Sequence, residues 1–307
     1  MYTTNKFIYF KVWSKTMMTV IEFQEKFNSE QACADHFFKM KWSNGFSCPR
    51  CKHNEAYILK NRSLWQCKSC DYQASLKAGT VFHRLKHSLF VLLWACYWVA
   101  TTKKGISALE LKRKLGIKSY QTAWLLLHKI RLGMKSSGNF PLTSDVEFDD
   151  TYLGKDKESD DKKRALANIV VESDGKNIGR AYIENLPNQQ SITVKKFIFK
   201  TVIQGVKIKT DGNVSYKFLK NYFEHLPMKM YDKKDNNKHL PKVHIIIANL
   251  KNWLRGTYNH MPNKHAQSYL DEFCFRFNRR WSIENSFDKL FTKLIINKTV
   301  TYSELTG

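Results

Sequence analysis

Four of the seven cysteines in this 307-residue chain stand in two close pairs, Cys48-Pro-Arg-Cys51 and Cys67-Lys-Ser-Cys70, fifteen residues apart. Each C-x2-C turn presents two thiolates, and four thiolates close a tetrahedral Zn²⁺ shell with no position left for chemistry, so the pattern reads as one structural zinc. A redox function would need only one such unit. The other groups able to do chemistry are carboxylates: the adjacent Asp149 and Asp150, and Asp211, which Gly212 follows. A third pattern lies in PKVHIIIANLKNWLRG, residues 241–256, where His244, Ala248, Lys251 and Arg255 recur at helical steps and so share one face. The ordinary reading of that stripe is the wet side of an amphipathic helix, although three consecutive isoleucines leave a strand open.

These groups need elements to hold them. The segments EAYILK and SLWQC suit the paired strands of a ribbon around the cysteines. SLFVLLWACYWVA, residues 88–100, is too short to span a bilayer and reads as a buried helix. In GISALELKRKLGIKSYQTAWLLLHKIRLGM, Ile106, Leu109, Leu111 and Leu115 precede a turn at Gly116, and Ala123, Trp124, Leu127 and Ile130 mark a second helix. That is helix-turn-helix spacing, with Lys118, Ser119, Tyr120 and Gln121 where base-reading residues sit; a plain helical hairpin is the alternative.

From NFPLTSD onward the texture changes. DVEFDDTYLG, ALANIVVES and GRAYIEN alternate as three strands, SITVKKFIFKTVI carries helical spacing, and VKIKTDG returns to a strand. VSYKFLKNYFEHL is expected as a helix, followed by the charged loop YDKKDNNKHLP and the segment at 241–256. Three strands, a crossover helix and a fourth strand is the order of ribonuclease H-like folds. There the first and fourth strands are neighbours, so acids on them can share a metal.

Composition narrows the partners. A hydrophobic fraction of 43% with 14% aromatics excludes a disordered chain, and 51 Lys and Arg against 27 Asp and Glu, net +24, favour a polyanion such as nucleic acid over a small neutral substrate. No membrane-spanning segment and no secretory signal stand out, and an odd cysteine count in a chain of this length points to a reducing compartment. Cys33, Cys96 and Cys274, alone among apolar neighbours, read as core residues. Met17 or Met18 is a plausible start, which would make residues 1–17 a non-native extension.

The series GFSCPRC, WQCKSC, AGTVF, VEFDDTYLG, TDG, RGTYNH and YLDEFCFRFNRRW resembles the zinc-ribbon DDE transposases of bacterial insertion sequences. Within them it is similar to the ISXO-type branch related to eukaryotic Merlin elements, from about Met18 to the terminal TYSELTG. The resemblance implies a multidomain protein. A zinc ribbon with an N-terminal helix would occupy 18–82, a helical helix-turn-helix region 83–135, and an α/β ribonuclease H-like catalytic domain with a mixed sheet 143–307.

It also implies an enzyme that binds terminal inverted repeats in double-stranded DNA and performs strand cleavage and transfer with Mg²⁺ or Mn²⁺, two ions in all. Such an enzyme would act as a homo-oligomer at the nucleoid of a prokaryotic cytoplasm. Carried over, the first catalytic aspartate falls on Asp149, with Asp150 the alternate one register step away, and the second on Asp211. Where relatives with a full acidic triad carry Glu this chain has His244, and the lysine seven residues on is Lys251, suited to a DNA phosphate. The enzyme would thus be a DDH/K variant of the DDE polynucleotidyl transferases. Imidazole ligates divalent ions but brings no charge and suits softer metals than Mg²⁺. Asn249 is the alternate third ligand, although a regular helix turns it away from the His244 stripe, and Glu272 in YLDEF stands behind it, its plainer reading a surface acid. Arg255, Arg276, Arg279 and Arg280 are expected to clamp backbone phosphates, with solvated helix charges as the plainer reading of the last three. Trp281 reads as core, and His83 and His87, at helical spacing, as surface residues rather than a second metal site. The rival reading is a decayed or domesticated DNA-binding protein, kept open by His244; a structure-specific nuclease of the same fold is a weaker one.

Overall fold

The structure, a computed structural model, describes residues 18–59, 62–154, 164–228, 239–258 and 261–306. The 1–17 extension and residues 231–238 of the charged loop lie outside the described residues. The chain opens with α1 (Val20–Lys26), whose Thr19 and Glu22 form a reciprocal capping box, and α2 (Glu30–Lys41), capped by Ser29. Three short antiparallel strands follow, β1 (Ala56–Leu59), β2 (Leu64–Cys67) and β3 (Gln73–Ser75), the expected ribbon. Then comes α3 (Leu89–Thr101), apolar on nearly every side and buried accordingly at Leu92, Leu93, Ala95, Cys96 and Val99. No helix among the described residues is long and apolar enough to cross a membrane. Next are α4 (Ala108–Leu115) and α5 (Tyr120–Leu132), joined through Gly116 at φ +63°, a left-handed conformation that ends α4 without the strain a Cβ would bring.

Beyond them five strands form one sheet: β4 (Val146–Leu153), β5 (Ala165–Asp174), β6 (Asn177–Asn185), β7 (Lys207–Thr210) and β8 (Glu224–Pro227), in the order β6-β5-β4-β7-β8. β4 and β5, and β5 and β6, run antiparallel, whereas β4 and β7, and β7 and β8, run parallel. This is the ribonuclease H-like mixed sheet. The crossover from β6 to β7 is α6 (Ser191–Thr201), and strand alternation divides the sheet's side chains between two cores. Phe148, Val170 and Ile208 face α6 and the 3₁₀ segment Val214–Asn221, while Ala167, Ile169 and Val171 face α7 (Pro241–Thr257) and α8 (Ala266–Phe277). The chain finishes with α9 (Ser286–Ile296) and α10 (Tyr302–Thr306).

Two expectations need correcting, and one open choice is settled. The helix expected over VSYKFLKNYFEHL is a 3₁₀ segment that gives way to the edge strand β8; Pro227, which lacks an N–H, sits where an edge tolerates it. The isoleucine-rich segment is the helix expected rather than a strand, started by Pro241 and running one residue past Gly256. The expected catalytic unit of 143–307 does not describe the packing, because α9 turns back and inserts Phe287, Leu290, Phe291 and Leu294 among Phe23, Phe37 and Phe82 of the N-terminal core. Each of those aromatic and leucine side chains is nearly or fully buried, and truncating one to Ala costs about 2–5 kcal/mol, so α9 ties the two ends of the chain together.

Candidate active site

The four paired cysteines converge. Cys48 and Cys70 Sγ lie 3.6 Å apart, Cys51 and Cys67 Sγ 3.5 Å, and all four within 4.8 Å of one another. A tetrahedron with Zn–S bonds of about 2.3 Å has edges of about 3.8 Å, so the spacing fits zinc, and these are free thiols rather than disulfides. Burial opposes the Cys48 thiolate, but the amides of Cys51 and Arg50 and the neighbouring thiols outweigh it and draw Cys48 down to about 6. At Cys70 the amide of Tyr72 favours the thiolate, yet burial and the three other thiols push it up to about 12. Four thiolates cannot gather without a cation, which is the condition a structural zinc satisfies. Cys33, Cys96 and Cys274 are buried, and desolvation raises each of their thiols, as inert core cysteines require.

The second cluster is built on β4. Alternation sends Asp149 toward α7 and Asp150 to the opposite face, where Asp150 Oδ1 accepts a 2.8 Å hydrogen bond from the Tyr216 hydroxyl. On the α7 side, His244 Nε2 lies 3.2 Å from Asp149 Oδ2, and the Asp150 amide donates to Asp149 Oδ1 at 2.8 Å. Glu147, two residues earlier on the same face and buried, sets this contact. Its carboxylate accepts the N–H groups of Lys242 and Val243 at 2.8 and 3.0 Å, capping a helix whose own N-cap, Leu240, offers no side-chain acceptor. Sequence reasoning passed over Glu147; its signal was an acid inside a strand that must be buried.

Asp211 stands just beyond the end of β7. β4 and β7 pair in parallel with Val146 opposite Ile208 and Glu147 opposite Lys209, so continuing the register sets Asp211 beside Asp149. Its Oδ1 accepts the Asn213 amide at 3.0 Å across Gly212, which takes φ +81° and so favours glycine. Burial, with the charges of Asp150 and Asp211, drives the Asp149 carboxyl up to about 6 against the pull of the Asp150 amide and His244. An acid raised first by burial and then by its acidic neighbours is a site short of positive charge, where Asp149 and Asp211 could share a cation. Asp149, Asp211 and His244 are not gathered as tightly as the thiols; among the described residues only the four cysteines close around a single ion's position.

A cleft of about 570 Å³ lies farther along β4, lined by Thr151 to Gly154 on the sheet side and by Lys251, Leu254 and Arg255 of α7. Of the stripe, Lys251, half-buried, and Arg255, exposed, face this cleft, whereas His244 lies outside its lining. Asn249 does not share it, lining a separate cleft with Trp253 and Phe273. Lys118, Tyr120 and Gln121 are exposed at the start of α5, with Ser119 as its N-cap.

Glu272, Arg276 and Arg280 lack the free group that their expected roles need. Glu272 is no surface acid: it is fully buried, paired with Arg131 at 2.8 Å and Arg276 at 2.7 Å, and accepts the Tyr258 hydroxyl. Arg276 also donates to the carbonyls of Val99 and Thr102, so its guanidinium is committed inside the protein rather than to a phosphate. Gly105 leaves room for this network, since an added Cβ would lie 2.8 Å from the Tyr258 hydroxyl. Arg280 is tied to the carbonyls of Ile178, Gly179 and Phe277, and Arg279 stacks 4.0 Å over Phe275. Trp281, expected in the core, is 86% exposed. His83 and His87 lie in turns rather than on a helix and join no metal-binding group among the described residues.

Residues 28–73 match the transposase zinc-ribbon domain, and residues 141–278 match the ISXO2-like transposase domain. The two matches enclose the four clustered thiols and the Asp149, Asp211, His244 and Lys251 constellation. A protein of Halobacterium salinarum, described as uncharacterized in transposable element ISH50, is 24% identical over 149 residues. That alignment covers 46% of this chain and 49% of the relative, so the chain spans about half the length of the curated relative it matches. With a four-thiol ribbon followed by a ribonuclease H-like sheet, and a family match on each, the chain is similar in both parts to transposases that pair a zinc ribbon with an ISXO2-like transposase domain.

Proposed function

We propose that this chain is a transposase that binds DNA carrying the terminal inverted repeats of its element, cuts it by in-line displacement at phosphorus and joins the freed end to target DNA. Asp149, Asp211 and His244 would hold the divalent cations. The observation that carries the reading is the 3.2 Å approach of His244 to Asp149, with Asp211 next in register on the neighbouring strand. Bound there, Mg²⁺ or Mn²⁺ would supply a Lewis acid for the attacking and leaving oxygens. Asp149 and Asp211 furnish the negative charge such ions need, and His244 contributes a neutral nitrogen, a set that suits Mn²⁺ better than Mg²⁺. Asp150, bonded to Tyr216 on the other face, shapes the strand and adds charge rather than a ligand. Glu147 holds the start of α7, and so the reach of His244. Lys251 and Arg255 along the cleft are suited to the phosphates flanking the cut. The exposed start of α5, with Lys118, Ser119, Tyr120 and Gln121, is suited to the major groove, and the ribbon to support it. Two ends must be held together during joining, so the working form is a homo-oligomer.

Retention of mutually repelling acids disfavours a decayed DNA-binding protein, which gains nothing from them. The test is cleavage of duplexes carrying the element's ends with Mg²⁺ or Mn²⁺. Cutting is expected to vanish in Asp211→Ala and fall steeply in His244→Ala, both still binding DNA. Binding without cutting by the unaltered chain would favour the decayed reading.

A further inference from the structure

Across α7 from the carboxylates lies a second cleft, about 520 Å³, enclosed by α7, α8 and the end of α3. Its walls include Asn249 and Trp253 of α7, Phe273 and Phe277 of α8, Arg279, and Ser286 at the start of α9. The size is that of a small-molecule site, and the lining is mostly apolar with a few polar groups, the usual make-up of one.

Two of those polar groups are unused. Ser286 is 1% exposed, yet its Oγ has no hydrogen-bond partner among the described residues, and the Trp253 indole Nε1 is likewise buried and unpartnered. Buried donors and hydroxyls are almost always paired, so a donor and a hydroxyl left open in the wall of one cleft call for a ligand with acceptors and donors on its edge. The walls favour a flat ligand: the Phe273 and Phe277 rings lie within 11° of parallel, and Trp253 meets Phe273 edge-on at 5.8 Å. The surroundings favour an anionic carrier, with the exposed Lys103 on the rim of the cleft, in a chain of net charge +24. Flat, edge-polar and attached to phosphates describes a nucleobase.

We infer that this cleft takes one unpaired nucleobase of the bound DNA, stacked on the Phe273 and Phe277 side and read at its edge by Trp253 Nε1 and Ser286 Oγ. A base still paired in a duplex cannot enter, so the occupant is extruded from the helix or lies in an end already opened. One helix diameter, about 10 Å, separates this face of α7 from the His244 face, roughly three stacked nucleotides at about 3.4 Å each. The inference rests on the DNA-cutting reading above. It assigns Trp253 and Ser286 to holding a strand near the cut, a place among the site residues that the metal-ligand reading did not give them.

The test uses the full chain and duplexes of the element's end in which a single abasic nucleotide is stepped through the positions on either side of the scissile phosphate. Loss of the captured base is expected to weaken binding at one position by roughly 5- to 150-fold, the range for one base stacked on aromatic side chains. Removing that base's pairing partner instead should tighten binding. Trp253→Phe and Ser286→Ala should lower affinity for intact DNA while leaving affinity for the abasic duplex unchanged, shrinking the difference between them. A flat abasic scan on DNA that is bound and cut overturns the inference and leaves the transposase reading standing. So does a base preference unaltered in both variants, or variants that change self-association without changing DNA affinity, which would mark the cleft as a protein interface. Failure to bind any end duplex defeats both readings together.

Discussion

Replacing Glu272 by Gln removes the anion from a buried network that joins α5 to the sheet domain. Glu272 on α8 is 0% exposed and Arg131 on α5 1%, at 2.8 Å, with Arg276 on the acid's other oxygen. Burial alone would raise the Glu272 carboxyl, but the charges and hydrogen bonds of Arg131 and Arg276 win and hold it below the usual carboxylate range. Without the acid, Arg131 becomes a buried cation whose remaining support is the faces of Tyr258 and Tyr269, at 5.1 and 4.0 Å, and His128. Breaking one side of a buried pair costs about 3–5 kcal/mol, a large part of the roughly 5–15 kcal/mol that holds a domain together. In urea, followed by tryptophan fluorescence, the midpoint should fall by about 1 M or more at slopes of about 1–3 kcal/mol/M. The double variant Arg131→Met with Glu272→Leu should recover most of that loss, because the lone cation is gone too. If Glu272→Gln is as stable as the unaltered chain but no longer cuts DNA with metal, Glu272 belongs to the metal site and the structural account of it is wrong.

Other outcomes follow from single contacts. Glu147→Gln removes the charge that caps α7 and should cost about 1–2 kcal/mol in denaturant unfolding. Acting through His244, it should also slow cutting by about 10- to 100-fold with little change in DNA affinity, as loss of an outer support does. One zinc per chain is expected by atomic emission, and Cys67→Ser or a chelator should abolish it and the ribbon's near-ultraviolet dichroism together. Burial pushes the Asp271 carboxyl up from 3.8 to about 6, so the folded state binds this proton more tightly than the unfolded chain. Its contribution to stability is therefore present below about pH 4 and is lost as pH rises through about 6; Asp271→Asn should flatten that slope and add roughly 2–3 kcal/mol at pH 7.5.

What the sequence disclosed was what is local or periodic. The cysteine spacing named its metal because both halves of the shell lie in short turns, and Gly116 between two apolar periods announced α4 and α5. The strand order followed from alternation, and the His244 stripe from helical steps. What stayed hidden depends on partners far along the chain. Arg276 and Glu272 look like an ordinary i, i+4 surface pair until Arg131, more than a hundred residues earlier, closes on them. FRFNRRW reads as a wet basic face, yet Arg280 finds its carbonyls on β6. The edge strand β8 was concealed by a run whose helical period continues through it, and the return of α9 to the first core leaves no mark in a sequence read left to right.

The central claim is that Asp149, Asp211 and His244 hold the cation that cuts DNA. Electron paramagnetic resonance of Mn²⁺ added to the zinc-loaded chain on an end duplex, with ¹⁵N-histidine labelling, addresses it most directly. The account predicts bound Mn²⁺ with an imidazole nitrogen coupling that disappears in His244→Ala, and little or no bound signal in Asp149→Ala or Asp211→Ala. Mn²⁺ held with undiminished affinity by both aspartate variants, or a nitrogen coupling that survives His244→Ala, would contradict it.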